Sequence, residues 1–309
     1  MADLNAALGA AMEADPHLRH VQSVIVRRRG DVLAERYYRG RTAHDLSNVH
    51  SITKSVLATL VGIAVAERTL GLETPAVEVL PGGAVADPRK ALITVRHLLT
   101  MTSGLAADGG HDIDEIADRG ESWVAGPLAA PLVAAPGTTF TYNNGAAHVL
   151  SVLLATKARR PLLRLAEERL FAPLGIDDYR WPADPDGNPL GYGHLELRPR
   201  DLAALGDLYL RRGRVGGTQL LPGEYVDAAT TAATSGGPPE GMPYGFLWWV
   251  TQTASLPSFF AGGFGGQYLS VVPALELVVA TTADAAVWTP TSANPRRLVE
   301  EVVVPALGI

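Results

Sequence analysis

The sequence predicts an α/β (α+β) fold, with one antiparallel sheet assembled from both ends of the chain and flanked by helices. Two observations lead there. Short β-type runs crowd residues 21–38 and 244–282, whereas helical patterns and Pro/Gly-rich loops fill the stretch between them. The 309 residues are 47% hydrophobic and 19% charged, enough apolar area for a substantial core and too little charge for a disordered chain. The expected division is an α/β sheet domain from residues 1–71 and 193–309, with a mostly helical domain from 72–192 inserted in it.

Each element has a local reason. Residues 21–27 and 32–38 alternate and are β-branched, with Arg29, Gly30 and Asp31 between them, which reads as a hairpin. From Ser51 an apolar helix runs to about Arg68 and stops before Gly71. Residues 72–92 read as loop. Val95 to Met101 is helical behind Thr94 as N-cap, and Ser103-Gly104 ends it. After a loop-rich 105–141, helical patterns cover Asn144 to Lys157, Pro161 to Leu170 and, past a polar loop at 177–193, Arg200 to Arg211. Tyr244 to Val250, Ser258 to Ala261, Gln267 to Val272 and Leu275 to Thr282 read as strands, the last two joined around Pro273-Ala274. Leu298 to Val304 opens as a closing helix.

Composition removes several classes of function. A net charge of −6 disfavours nucleic acid as a partner. The absence of cysteine removes disulfides, thiolate metal sites and thiol nucleophiles together. There is no G-x-S-x-G, H-E-x-x-H, G-x-G-x-x-G or G-K-[ST]. Met1 to Asp15 carries Asp3, Glu13 and Asp15 where an export signal would carry Lys or Arg. Val56 to Ala66, the longest apolar run, is too short to cross a bilayer. The expectation is a cytoplasmic protein with no membrane partner.

Three features could carry chemistry. Ser51-Ile52-Thr53-Lys54 is S-x-x-K at the start of the apolar helix, and only three of the 26 Lys and Arg residues are lysines: Lys54, Lys90 and Lys157. Residues i and i+3 share a helix face, so Lys54 can reach the Ser51 hydroxyl. A buried lysine loses its proton more easily, and a neutral one can activate the serine. A capping serine followed by a surface lysine is the plainer alternative. Tyr142-Asn143-Asn144 sits on a loop before a helix. It supplies either a proton-sharing tyrosine and an orienting amide, or a helix N-cap at Asn144 with Tyr142 packed below. Gly262-Gly263-Phe264-Gly265-Gly266-Gln267 lets a substrate approach backbone N–H groups closely, or is a simple turn.

The order S-x-x-K, Y-x-N, Gly-rich strand resembles the penicillin-recognising serine hydrolases: class C β-lactamases, D-alanyl-D-alanine peptidases and their esterase and amidase relatives. SITKSVLATLVGIAV, ITVRHLLTMTSGL, PGTTFTYNNGAAHVLSVLL, LFAPLGI and LRPRDLAALGDLYLRRG extend the resemblance in order, from about residue 20 to 285. It implies a β-lactamase/transpeptidase-like fold with the site in a cleft between lobes. Ser51 would be the acyl-forming nucleophile and Lys54 its base partner. Tyr142 would protonate the leaving group, and Asn144 would orient substrate and lysine. The backbone N–H groups of Ser51 and Phe264 would form the oxyanion hole, and no metal or organic cofactor is needed. The Lys-Thr-Gly of β-lactamases and peptidases is missing; Ala261-Gly262-Gly263 stands in its place. FFAGGFGGQYLSVVPALELVV, YGFLWWV and YRWPADPDGNPLG instead resemble a branch with 6-aminohexanoate-oligomer hydrolases and carboxylesterases.

The function implied is cleavage of a small-molecule ester or amide through an acyl-enzyme on Ser51. The alternative is transfer of the acyl group to an alcohol or amine. β-Lactamase or peptidase activity and a non-catalytic binding scaffold rank below both. Gly263 and Gly265 would face substrate. Trp181 and Trp248, with Trp249, would line an acyl pocket, the alternative being ordinary core packing. A homodimer is compatible with all of this. His50 and His97 read as structural, His111 and Asp112 sit in a variable loop, and Arg27-Arg28-Arg29 reads as a solvated turn.

Overall fold

A computed structural model describes residues 4–83 and 85–308; Asp3, one of the three acidic residues weighed against an export signal, lies outside them. Eight strands form one antiparallel sheet: β1 (Val21–Arg28), β2 (Asp31–Tyr37), β3 (Thr234–Gly237), β4 (Met242–Tyr244), β5 (Trp249–Thr253), β6 (Leu256–Gly263), β7 (Gln267–Val272) and β8 (Leu277–Ala283). Their order across the sheet is β2-β1-β8-β7-β6-β5-β4-β3, so the N-terminal hairpin joins the C-terminal strands along the β1–β8 seam. The described residues of 72–192 give this sheet no strand.

Strand alternation divides the core. Ile25 is paired with Ala280, and both belong to the larger cluster; Val26 is paired with Val279, and both belong to the smaller one. Both faces of the seam are therefore covered. The smaller cluster packs under helix α1 (Leu4–Ala14) and the helical turns Val299–Val303 and Val304–Ala306. The sequence reading lacked α1, which Leu4 and Leu8, one turn apart, anchor in a run of alanines.

The larger cluster surrounds α2 (Thr53–Ala66), in which every residue from Thr53 to Ala64 is buried. An apolar sequence on all sides suits a helix with protein on every side. The α-helix starts at Thr53 rather than Ser51, because His50–Ile52 is a 3₁₀ turn. Around α2 lie α3 (Val95–Leu99), α4 (Asn144–Ala158) and α5 (Pro199–Leu210). Thr94 caps α3 in a capping box with His97, so His97 is structural. Asn143, not Asn144, caps α4: its Oδ1 accepts from the Ala146 N–H at 2.8 Å. Arg27 is not a solvated turn residue; it lies within β1, and its Nη1 pairs with Asp207 Oδ2 of α5 at 2.9 Å. No helix among the described residues is long and apolar enough to cross a membrane.

Candidate active site

The turn ahead of α2 is pinned from several directions. His50 has a left-handed backbone (φ 47°), and its N–H donates to Asn48 Oδ1 at 2.8 Å. Thr53 Oγ1 donates to the His50 carbonyl at 2.6 Å and accepts from the Leu195 N–H at 3.1 Å. The Val49 N–H donates to the Leu195 carbonyl at 2.8 Å. Ser51 is thereby fixed where helix dipole and free N–H groups give positive potential.

Lys54 is 1% exposed, and its Nζ donates to Ser51 Oγ at 2.9 Å and to the Tyr192 carbonyl at 2.6 Å. The same Nζ lies 4.8 Å from the centre of the Tyr142 ring. Burial pulls the lysine down to about 7, against the opposing charges of Asp112 and Asp114. Near neutrality a large fraction of Lys54 thus carries a lone pair beside the hydroxyl. Tyr142 faces the same cavity as Ser51 and is stacked on Trp249, ring centres 6.0 Å apart at 13°. Burial pushes its phenol up to about 12; the Ser51 hydroxyl opposes the shift, and the charge of Glu240 adds to it. It therefore holds its proton at neutral pH.

Asn144 is the first residue of α4, and its Oδ1 is buried with no protein partner. It makes no hydrogen bond to Lys54 among the described residues; the Tyr192 carbonyl holds the lysine in the role expected of the amide. A backbone carbonyl leaves no mark in a sequence, which is why Tyr192 was missed.

Strand β6 ends at Gly263 against the Ser51 turn. A Cβ at Gly263 would collide with the Val49 carbonyl oxygen, so the approach requires glycine there. Beyond it Gly265 and Gly266 have φ of 79° and 103°. Gln267 ties this turn to the end of β8, donating to the Ala283 carbonyl at 2.8 Å and accepting its N–H at 2.9 Å. The Phe264 side chain is 57% exposed and packs edge-on against Trp288, ring centres 5.0 Å apart. His50 stays neutral, pushed down to about 4 by burial and then by the charges of His194 and Lys54.

A cavity of about 690 Å³ opens over these groups. Ser51, Tyr142, Gly263, Phe264 and Gly265 line it, as do Glu240 and Trp249. Trp248 and Trp181 do not, contrary to expectation. Trp248 is fully buried against Tyr209, ring centres 4.4 Å apart, because adjacent residues at the start of β5 face opposite sides. Trp181 is buried elsewhere, donating from Nε1 to the Leu190 carbonyl at 2.9 Å.

Comparison with known proteins places the chain among relatives. The beta-lactamase family model matches residues 8–303. Esterase EstB of Burkholderia gladioli is 31% identical over 209 residues, which cover 56% of this chain and 51% of that protein, about half its length. A provisionally assigned 6-aminohexanoate-dimer hydrolase from Bacillus anthracis has a similar fold, with TM-score 0.79 and 19% identity over 97% of this chain and 80% of that one. So has EstCE1, described as a hydrolase with promiscuous acyltransferase activity, with TM-score 0.79 and 18% identity over 98% of both chains.

Proposed function

The chain belongs to the beta-lactamase family, a group of serine hydrolases with esterase and amidase relatives, and we propose that it cleaves a small ester or amide through an acyl-enzyme on Ser51. The observation that carries this reading is the buried Lys54 Nζ, 2.9 Å from Ser51 Oγ and pulled down to about 7. Lys54 takes the Ser51 proton as Oγ attacks the carbonyl carbon. The oxyanion is held by the backbone N–H groups of Ser51 and Phe264. Tyr142 gives its proton to the leaving alcohol or amine as the C–O or C–N bond breaks, and takes up in turn the proton that Lys54 received from Ser51. Water then attacks the acyl-enzyme, a proton passes back through Lys54, and Ser51 is released with the acid. The site lies between the two regions, with Ser51, Lys54 and Gly263 from the sheet domain and Tyr142 and Tyr192 from the helical domain.

The charge around the cavity supports an ester or amide over a penicillin. A carboxylate substrate needs a cation on the strand that ends at Gly263, and here that stretch is Ala261-Gly262-Gly263. The charged side chain lining the cavity is the acidic Glu240.

The test is p-nitrophenyl butyrate cleavage by the wild type and Ser51→Ala, with intact mass read in parallel. Sustained release that disappears in the variant is expected. A single burst with a lasting adduct would redirect the reading to acyl transfer. Equal rates without an adduct would sink it.

A further inference from the structure

Among the described residues lining the cavity, Glu240 is the one that carries a formal charge. It sits in the turn between β3 and β4, with its carboxylate in a built environment. Tyr268 Oη donates to Oε1 at 3.0 Å, and Asn294 Nδ2 donates to Tyr268 Oη at 2.9 Å. Both partners also line the cavity. Gly262 makes room for the group, since a Cβ there would stand 3.1 Å from Oε1. Oε2 makes no hydrogen bond to any described residue and is not sealed from the cavity.

Among the described residues the carboxylate has no ion-pair partner. Arg296 is near enough to act on it, but its guanidinium stacks on the Phe260 ring at 4.8 Å and forms no ion pair with Glu240. Burial raises the Glu240 carboxyl, with the Tyr268 bond and Arg296 opposing. A half-desolvated carboxylate with one open oxygen is stabilised most by a ligand that brings a positive donor. The aromatic walls at Trp249, Tyr268 and Trp288 suit a cation too.

We propose that Glu240 is a specificity residue for substrates bearing a primary ammonium group remote from the scissile carbonyl, which donates a hydrogen bond to Glu240 Oε2. The proposal rests on the acyl-enzyme reading above and narrows its substrate class. Tyr268 and Asn294 are positioning residues that hold the carboxylate toward the cavity.

Two substrate pairs test it, one with the amine in each half of the molecule. In the first, p-nitrophenyl 6-aminohexanoate is compared with the isosteric heptanoate. In the second, 4-(aminomethyl)phenyl butyrate is compared with 4-ethylphenyl butyrate. In one pair the ammonium member is expected to have the higher kcat/KM by about tenfold or more, the range of a hydrogen bond to a charged group. That ratio should fall about tenfold in Glu240→Gln, which keeps an oxygen for Tyr268, with an unchanged melting temperature. No preference in either pair, or a preference that survives in Glu240→Gln, overturns the proposal. A separate readout needs no turnover: hexylammonium should bind the Ser51→Ala protein more tightly than hexanol and lose that advantage when Glu240→Gln is added. Binding without cleavage would refute the hydrolase reading while upholding Glu240, and cleavage without the amine preference would do the reverse.

Discussion

Lys54 is held by the backbone of Tyr192: Nζ lies 2.6 Å from that carbonyl oxygen, closer than the 2.9 Å to Ser51 Oγ. The carbonyl accepts one N–H and turns the remaining valences of the amine toward the serine. A main-chain acceptor cannot rotate away or take up a proton, so the lysine geometry is stable in both protonation states.

The position of Tyr192 depends on a clamp in the preceding loop. His148 and Asp184 are fully buried, with Nε2 3.0 Å from Oδ2, and the Gly191 N–H donates to His148 Nδ1 at 3.4 Å. Nδ1 thus accepts, and Nε2 carries the hydrogen toward Asp184: a neutral imidazole beside a carboxylate, in keeping with the burial that pushes His148 down. Asp184→Ala should cost about 1–3 kcal/mol in denaturant melts, because buried donors are left unpaired. It should also lower kcat with p-nitrophenyl butyrate, since the loop that carries Tyr192 is released. Loss of stability with kcat unchanged would separate the clamp from the site.

Activity should follow the deprotonation of Lys54. The base must be neutral, so kcat/KM for a neutral ester should be low at pH 5, rise through about 7, and level off above it. A rise centred on about 4 would assign the proton to His50 instead. Lys54→Met should lower kcat by about 10²–10⁴-fold, the usual worth of a general base. The same variant bears on stability. Folding lowers this lysine from 10.5 to about 7, so between those values the unfolded chain binds more protons, and native stability rises with pH. Removing the amine should therefore raise Tm more at pH 6 than at pH 10. An equal change at both would contradict the lowered value.

Tyr142 is expected to matter in proportion to the proton demand of the leaving group. With its phenol pushed up to about 12, it is a proton donor at neutral pH. Tyr142→Phe should slow cleavage of a simple alkyl amide by about 10²-fold or more. A p-nitrophenyl ester, whose phenolate leaves unaided, should lose far less. Equal losses on both would show that Tyr142 serves acylation of Ser51 directly.

Side-chain chemistry was legible in the sequence where spacing carries it. Ser51 and Lys54 meet because i and i+3 share a face, and strands at both ends of the chain gave the sheet. Trp248 and Trp249 were not separable, since choosing the one that faces the cavity needs the parity of β5. Asn144 was credited with holding the lysine because the Tyr192 carbonyl has no sequence signature. Glu240 went unread because it follows β3, Thr234–Gly237, whose Thr-Ser-Gly-Gly has none of the alternation that marks a strand.

The seam between β1 and β8 also dictates when this site can exist during synthesis. The strands that flank the Ser51 turn come off the ribosome long after Ser51 does, and β1 finds its second neighbour only when residues 277–283 emerge. Until then the N-terminal hairpin is not joined to the strands of residues 234–272, and the apolar helix behind Ser51 lacks its complete sheet. A chain that stops short of residue 277 therefore lacks the β1–β8 seam, and the arrangement around Ser51 is expected to assemble only once residues 277–283 have been made.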